Sequence, residues 1–257
     1  MSQPTALGHL RQALECARDA QTRFEAGQQC MWALGYSGRM EEAIKLGIEL
    51  LAGVGVEDEE LALRLQGELA SLAQFAPAFA KAALQRLRPY EGRLRGATSG
   101  ERLVLASLAF GAANRGESPA ETARLARLAL ADGKLLHDHG LGSLPYFFAV
   151  WALMHADRLD EAERYFDLAI DEARERGSTA IFGSASGCRC QVLIRQGRLA
   201  EAEAEALSVL APTTPTRWPG RCCSRACCIR RSSAASPGRG RRCCATTIWT
   251  AIYPKGQ

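Results

Sequence analysis

A six-residue motif recurs along this chain at steps of about 40 residues, and this repeat constrains the fold more than any other feature. Three copies are closely similar: GRMEEA at residues 38–43, DRLDEA at 157–162 and GRLAEA at 197–202. A weaker copy, GESPAETA, covers residues 116–123, and Ala83 lies where a fifth copy would have its alanine. Repeats of this length are typical of arrays in which each unit buries its apolar face against its neighbours. The chain is therefore expected to form a stack of similar units.

Each unit is predicted to be a helical hairpin. In the clearest copy, residues 146–154 are predicted to form the first helix and residues 155–158 the turn. The second helix then has one apolar stripe at three- and four-residue spacing, consisting of Leu159, Ala162, Phe166, Ala169, Ile170 and Ala173. Gly177 follows this helix, as a glycine stop does. We predict an all-α fold, an α-solenoid of stacked helical hairpins that covers residues 1–211.

The sequence has no apolar segment that resembles a signal peptide or a membrane span. Residues 1–20 lack a continuous apolar core and are predicted to form an amphipathic helix. The longest uncharged run, residues 140–156, contains Pro145 and His155 and is too short to cross a bilayer. A cytoplasmic protein that makes no membrane contact is expected.

Four stretches of the repeat region carry a family resemblance. They are GERLVLASLAF at residues 100–110, AVWAL at 149–153, DRLDEAE at 157–163 and GRLAEAE at 197–203. On the basis of these four stretches, the region from about residue 5 to residue 211 resembles the tetratricopeptide-like region of LuxR-family large ATP-binding transcriptional regulators, the MalT-like group. The resemblance implies a non-catalytic segment that receives a protein or small-molecule effector on its repeat surface. In that family the repeats lie between an ATPase domain and a DNA-binding helix-turn-helix.

The chain departs from this family at both ends. It contains no phosphate-binding G-x-x-x-x-G-K-[ST] loop, and no helix-turn-helix pattern follows the repeats. ATP binding and DNA binding are therefore not carried over to this polypeptide, and an ATPase encoded upstream of Met1 is left open. Nucleic acid is expected to be bound only through domains absent here or, alternatively, through the basic tail.

Residues 212–257 form a tail of different composition. The tail holds nine of the 32 basic residues and none of the 28 acidic ones, so the rest of the chain is acidic by five charges. It also holds six of the ten cysteines, in adjacent pairs at 222–223, 227–228 and 243–244. This spacing differs from the C-x2-C of zinc sites, and a cytoplasmic chain disfavours disulfides. No metal site is expected in the tail.

A change of reading frame explains the cysteine pairs. Codons for Cys-Cys, read one base earlier, encode leucine, methionine or valine followed by leucine. The same shift makes residues 246–255 compatible with an Asp-Gly-rich sequence like that which follows the last repeats in the regulator family. We hypothesise a frame change between about residues 210 and 216, which would leave the tail disordered. The alternative is a free-standing tetratricopeptide-like scaffold whose basic tail binds nucleic acid or acidic partners.

Tyr146, Phe147 and Trp151 are the candidate partner-binding residues. With Phe148 they form the one aromatic cluster of the sequence, on a predicted first helix. Tetratricopeptide-like arrays bind peptides or small molecules on the surface lined by first helices, so these side chains are candidates to contact a ligand. The alternative is that the cluster forms the core of its hairpin, because one stripe of each helix must be buried.

Histidines and cysteines of the repeat region are not expected to bind metal. His137 and His139 lie two positions apart, which does not place them on one helix face, and residues 137–145 are predicted to be a polar loop. Cys188 and Cys190 are predicted to lie inside a helix. With Cys16 and Cys30 they are expected to be small core residues or exposed thiols.

Pairs of acidic residues recur with the repeat, at Glu41–Glu42, Asp160–Glu161 and Glu201–Glu203. An acidic pair that recurs in every unit is typical of stabilisation at a helix N-terminus rather than of acid–base catalysis. The sequence also lacks a nucleophile motif. We therefore expect no enzymatic activity, with no catalytic residue, no cofactor and no metal.

Overall fold

The computed structural model describes residues 6–55, 58–140 and 143–210, and within them every regular element is helical. The α-helices of these residues are α1 (Ala6–Cys16), α2 (Ala20–Tyr36), α3 (Met40–Ala52), α4 (Glu59–Ala73), α5 (Pro77–Leu87), α6 (Ser99–Arg115), α7 (Pro119–Leu130), α8 (Lys134–His139), α9 (Leu144–His155), α10 (Leu159–Glu175), α11 (Thr179–Arg195) and α12 (Leu199–Leu210). The predicted all-α fold is confirmed. The tail of residues 212–257 lies outside the described residues.

The chain divides between Arg158 and Leu159 into two compact units. In the first unit α2–α3, α4–α5 and α6–α7 are hairpins, and the first helices α4, α6 and α9 pack side by side, with α2 against α4. In the second unit α11 packs between α10 and α12. The division falls within the predicted repeat domain of residues 1–211, inside the DRLDEA copy of the motif.

The aligned alanine of each repeat is buried on the helix that follows the turn of that repeat. The five are Ala43, Ala83, Ala123, Ala162 and Ala202, and none is more than 9% exposed. Ala83 belongs to this set although its flanking residues lack the motif. A side chain of one methyl group at this position lets a neighbouring helix approach closely in a densely packed interior. The burial confirms the period that the sequence predicts.

Four of the turns that follow first helices share one backbone geometry. The first motif residue lies in the left-handed region, with φ of 79° at Gly38, 69° at Gly116, 60° at Asp157 and 79° at Gly197. The next N–H donates to the carbonyl five residues back, as Arg198 does to Leu193 at 2.9 Å. This is the Schellman ending of a helix, which glycine adopts without steric cost and which aspartate tolerates better than most residues.

The helices of the clearest copy lie where the sequence predicts them, as α9 and α10. On the predicted stripe of α10 every residue is buried except Leu159, which is half-buried.

The N-terminal helix is confirmed as α1, but it ends at Cys16, and a second helix begins at Ala20. Asp19 caps that second helix, because its Oδ1 accepts a hydrogen bond from the N–H of Thr22 at 2.8 Å.

The prediction of a polar loop over residues 137–145 is wrong at both ends of this range. Residues 137–139 belong to the short helix α8, which buries Leu135 and Leu136, and residues 144–145 begin α9. A helix of six residues is too short to show a periodic apolar pattern in the sequence.

Among the described residues, no helix combines the length and the apolarity needed to cross a membrane.

Helices α4 and α6 approach each other closely at Gly67. A Cβ atom added to Gly67 would lie 2.5 Å from the Cβ of Leu103 and 2.9 Å from the backbone N of Val104. Beside this contact the hydroxyls of Ser71 and Ser107 are hydrogen-bonded at 2.9 Å, and Ser107 also donates to the carbonyl of Gly67. Small residues and buried hydrogen bonds thus fix the position of α4, the helix that supplies the central residues of the site described below.

Candidate functional site

Tyr146 lies in the core and does not face a ligand, which corrects one of the three partner-binding candidates. Its exposed fraction is 1%, because α9 is buried over most of its circumference, and Phe148 is buried as well. Phe147 and Trp151 are half-buried, with their ring centroids 6.4 Å apart. These two side chains remain candidates, since each keeps part of its ring accessible.

Two aromatic residues from other elements extend this cluster. Phe110 of α6 stacks on Phe148 with a centroid distance of 4.2 Å and an angle of 8° between the rings. Phe75, which follows α4, lies 5.6 Å from the same ring. Both are half-buried, and both lie far from Phe148 in sequence, so only the packing of first helices brings them together. Much of the aromatic cluster therefore stabilises the hairpin stack, which is the alternative that the sequence left open.

The recurring acidic residues act at helix N-termini. Glu41, Glu42, Asp160, Glu161 and Glu201 lie in the first turns of their helices, whereas Glu203 lies further along α12. Two of them also pair with the arginine of their own motif. Glu42 accepts from Arg39 Nε at 2.6 Å, and Glu201 accepts from Arg198 Nε at 2.7 Å. These pairs are exposed, as capping interactions are, and are not grouped for catalysis.

The cysteines of the repeat region behave as small core residues with one exception. Cys30, Cys188 and Cys190 are buried, and Cys16 is exposed. Cys190 Sγ donates to the carbonyl of Ala202 at 3.4 Å, which ties α11 to α12. In the described part of the chain no group of three histidine, cysteine or acidic side chains comes close enough to hold a metal ion.

Arg189 of α11 ties the second unit together through ion pairs. Its guanidinium lies 3.0 Å from Glu163 and 2.6 Å from Asp167, both on α10, and 3.2 Å from Glu205 on α12. Burial raises the pKa of Asp167, and Arg189 opposes this shift. One cation that forms ion pairs on two neighbouring helices holds α10, α11 and α12 together, which is a structural role.

A polar pocket of about 310 Å³ opens among α2, α4 and α8 of the first unit. The residues that line it are Gln28, Gln29, Trp32, Tyr36, Arg64, Glu68, Asp138, His139 and Ser143. We call this site the Glu68 pocket. Its volume lies at the lower end of the range for small-molecule sites. Unlike most such sites, its lining is mainly polar, so a ligand there would be recognised chiefly by hydrogen bonds and charge.

Glu68 is the most unusual residue of this pocket. Its side chain is 1% exposed, Oε1 accepts a hydrogen bond from Gln28 Nε2 at 3.0 Å, and Oε2 has no partner. Burial raises the pKa of Glu68 to about 8, against the smaller opposing effects of Gln28 and Arg64. At neutral pH this carboxyl is therefore mostly protonated, and its Oε2 presents a proton that it can donate.

Two further buried polar atoms of the pocket lack a partner. Arg64 Nε and Ser143 Oγ form no hydrogen bond among the described residues. The Arg64 guanidinium lies 4.6 Å from the ring centroid of Phe24, which is buried, and this cation–π contact holds it in place. A buried polar atom left without a hydrogen bond destabilises the fold by about 1–3 kcal/mol. Three of these atoms belong to residues that line this one pocket, which makes it the candidate binding site.

The residues of α8 close one side of the pocket. Arg102 of α6 forms an ion pair with Asp138. Although burial opposes it, the hydrogen bond from Arg102 keeps the pKa of Asp138 below its usual value. His139 Nε2 lies 2.6 Å from Ser99 Oγ, and burial, with a contribution from Arg64, lowers the pKa of His139 to about 4. The imidazole is thus neutral at pH 7.

His137 contacts this arrangement only from the solvent side: its Nδ1 lies 3.3 Å from Asp138 Oδ1, and 90% of its side chain is exposed. The two histidines of the sequence motif consequently have different surroundings, as their spacing on a helix requires. The two histidines do not share a face of α8, as expected.

A second pocket of about 380 Å³ lies between α5 and α6. Its cationic side chains are Lys81, Arg88 and Arg115, and Arg115 is paired with Glu117 at 2.6 Å. Lys81 and Arg88 are exposed. Side chains that water already solvates impose little geometry on a ligand, so the Glu68 pocket is the stronger candidate site.

Sequence reasoning missed the Glu68 pocket altogether. Arg64 and Glu68 are four residues apart in α4, a spacing that normally indicates an exposed charged face of a helix. The residues that bury them come from α2 and α8, far away in the sequence. The partial signal was the number of large apolar residues in α4, which predicts a helix packed on more than one side.

Comparison of the chain with protein-family models, with curated proteins and with solved structures gives no match in any of the three.

Proposed function

We propose that this chain is a non-catalytic ligand-binding module of helical repeats, and that its effector occupies the Glu68 pocket. The observation that carries the proposal is the set of buried, unpartnered atoms there: Arg64 Nε, Glu68 Oε2 and Ser143 Oγ. Each destabilises the unliganded fold, and a bound polar molecule would satisfy all of them at once.

The arrangement around the pocket favours binding over catalysis. The hydroxyl nearest to the neutral imidazole of His139 belongs to Ser99, which does not line the pocket and is not placed to attack a molecule inside it. Glu68 is held by Gln28 and buried, so it is suited to recognition through its proton. A molecule in the pocket would contact α2, α4 and α8 together and would thereby stabilise one arrangement of these hairpins.

This behaviour fits the sensor segment of a LuxR-type transcriptional regulator, the assignment that the sequence resemblance suggests. In such a protein, the effector would bias domains outside this chain by binding one arrangement of the repeats more tightly than another. The segment itself would need no catalytic group. The free-standing scaffold remains the alternative for the tail, and salt-sensitive binding of nucleic acid by residues 212–257 would favour it.

The binding function is tested by recovering the effector. The full chain is purified from bacterial cells under native conditions, and small molecules released on denaturation are identified by mass spectrometry. We expect a compound that accompanies the wild type and is lost from Arg64→Gln and from Glu68→Leu. The control Glu117→Gln, in the second pocket, should retain it. Equal recovery from the wild type and both pocket variants would contradict the proposal.

The regulator assignment is tested on the gene. Its DNA sequence is determined from codon 190 through the stop codon and for several hundred bases on both sides. We expect the shifted frame to continue into further repeats and a helix-turn-helix. Confirmation of the printed frame, with nothing similar to the family in the other frame, would favour the scaffold with its arginine-rich tail.

A further inference from the structure

The charges that face the Glu68 pocket do not balance. Asp138 is neutralised by its ion pair with Arg102, and His139 is neutral at pH 7. Glu68 is mostly protonated, so the guanidinium of Arg64 remains as the uncompensated charge among the lining residues. The pocket therefore carries about one positive charge at neutral pH, which favours a ligand with one negative charge.

The three buried, unpartnered polar atoms of the pocket can all donate hydrogen bonds. Arg64 Nε and the protonated Oε2 of Glu68 are buried and unpartnered, and the hydroxyl of Ser143 can donate as well. Arg64 and Glu68 are four residues apart on one helix, which places them side by side on its surface. A carboxylate has two oxygens that accept hydrogen bonds, and it matches a pair of neighbouring donors.

One wall of the pocket is flat and aromatic. Trp32 and Tyr36, both on α2, are stacked with a centroid distance of 5.7 Å and an angle of 27° between the rings. Tyr36 is 45% exposed although it is a large side chain. Partly exposed aromatic faces of this kind bind planar groups by stacking. The pocket thus combines a site for an anion with a surface for a ring.

We infer that the Glu68 pocket binds a small planar carboxylate, with the carboxylate held between Arg64 and Glu68 and the ring against Trp32. This inference rests on the proposed function and specifies the ligand of the same site. Binding forms and breaks no covalent bond. The proton stays on Glu68, which donates a hydrogen bond to the incoming carboxylate.

The inference makes affinity depend on pH in a defined direction. When Glu68 ionises, it loses its donor proton and repels the ligand, so binding weakens as the pH rises past about 8. The other groups that face Glu68 are Arg64, the Arg102–Asp138 pair and His139. Between pH 7 and 9 His139 stays neutral, since its pKa is about 4, and the lowered pKa of Asp138 keeps that carboxyl ionised.

Three probes that share one ring distinguish the ligand class: benzoate, benzylamine and benzyl alcohol. Their binding to the full chain is measured by ligand-detected NMR, which registers weak affinities. At pH 7 we expect benzoate to bind at least about tenfold more tightly than benzylamine, because a lost charge-assisted hydrogen bond is worth about 1.5–3 kcal/mol. At pH 9 the affinity for benzoate should fall at least about fivefold, as Glu68 loses the proton that it donates.

Two variants complete the test, and their folding is checked by circular dichroism. Arg64→Gln should lose at least about tenfold in benzoate affinity. Glu68→Gln keeps a neutral donor at the same place, so it should bind benzoate at pH 7 and lose the dependence on pH. A preference for benzylamine, benzoate binding that Arg64→Gln leaves unchanged, or no binding of any probe would overturn the inference. Loss of a co-purified compound from the pocket variants would still uphold the binding function itself.

Discussion

Glu68 destabilises the fold that contains it. Its carboxyl is fully buried, only one oxygen is hydrogen-bonded, and it stays neutral at pH 7 because burial raises its pKa to about 8. A buried carboxyl with one unpartnered oxygen and a raised pKa is typical of a functional site. In the sequence Glu68 itself looks like part of an exposed charged stripe, and only the large apolar residues of α4 signal its burial. That burial depends on residues about 40 positions before it and 70 after it.

The raised pKa of Glu68 predicts how stability varies with pH. The folded state keeps a proton that the unfolded chain, with an ordinary pKa near 4.5, has released, so stability falls as the pH rises towards 8. Between pH 7 and 8 the wild type should lose about 1 kcal/mol more than Glu68→Gln. Urea unfolding of both proteins at these two pH values measures the difference.

This pH window isolates Glu68 from His139. The lowered pKa of His139 removes stability only as the pH falls from about 6.5 towards 4, where the unfolded chain binds a proton that the folded state does not. Identical slopes for the two proteins between pH 7 and 8 would show that Glu68 is ionised in the folded state.

Gly197 and Gly187 are predicted to respond to alanine in opposite directions. Neither would bring a Cβ within 4 Å of another group, but Gly197 has a φ of 79° and Gly187 lies inside α11. Gly197→Ala should destabilise the protein by about 1 kcal/mol through backbone strain. Gly187→Ala should stabilise it by about 0.5–1 kcal/mol, because alanine favours a helix. Thermal unfolding followed by circular dichroism would contradict this if both substitutions shifted the midpoint in the same direction.

At the scale of elements, the helices on either side of each motif could be predicted from the sequence. The motif contains both the residue that ends the first helix and the alanine that packs in the next one. The left-handed residue at Gly38, Gly116, Asp157 or Gly197 ends the first helix, and the buried alanine then sets how closely the second helix packs. The helix α8 was not predicted, since its six residues are shaped by tertiary contacts of Leu135 and Leu136. The packing of α4 on α6 could not be predicted from the sequence either, because it depends on glycines and serines, which add nothing to the apolar periodicity of a helix.

The close contact of α4 with α6 predicts a large effect of one methyl group. Gly67→Ala should destabilise the first unit by about 1–3 kcal/mol, because the new Cβ meets backbone and Cβ atoms of α6 that cannot move aside. Gly27→Ala is the matched control. The three atoms nearest to its added Cβ are the terminal methyl groups and Cγ of Leu50, which can rotate, so its effect should be smaller. Urea unfolding of both variants measures the two effects, and equal losses of stability would contradict this account of the contact.

At the scale of the whole molecule, exposed leucines of α12 and the composition of the tail both favour self-association. Leu199 and Leu207 of α12 are about half exposed, at 52% and 50%. The tail adds six cysteines and nine basic residues in a stretch that has no acidic side chain. Exposed apolar side chains at the end of a repeat array and free thiols both promote self-association.

Removal of residues 212–257 is therefore expected to raise the yield of soluble protein. The soluble fraction and the disulfide-linked species on a non-reducing gel are compared for the full chain and the truncated one. A full chain with the six tail cysteines changed to serine separates the effect of the thiols from that of the arginines. Equal solubility of the full and truncated chains would count against this prediction.

The uniform turn geometry of the motif also bears on how such a chain changes in length over time. The turns at Gly38, Gly116 and Gly197 each end a first helix with a left-handed residue and a hydrogen bond to the carbonyl five residues back. Duplication or loss of one whole unit of about 40 residues keeps such a turn at the end of each first helix. An insertion of another length inside a helix rotates the later side chains of that helix away from the residues they pack against. Natural variants of this chain are thus expected to differ by whole hairpins, gained or lost by recombination, rather than by partial ones.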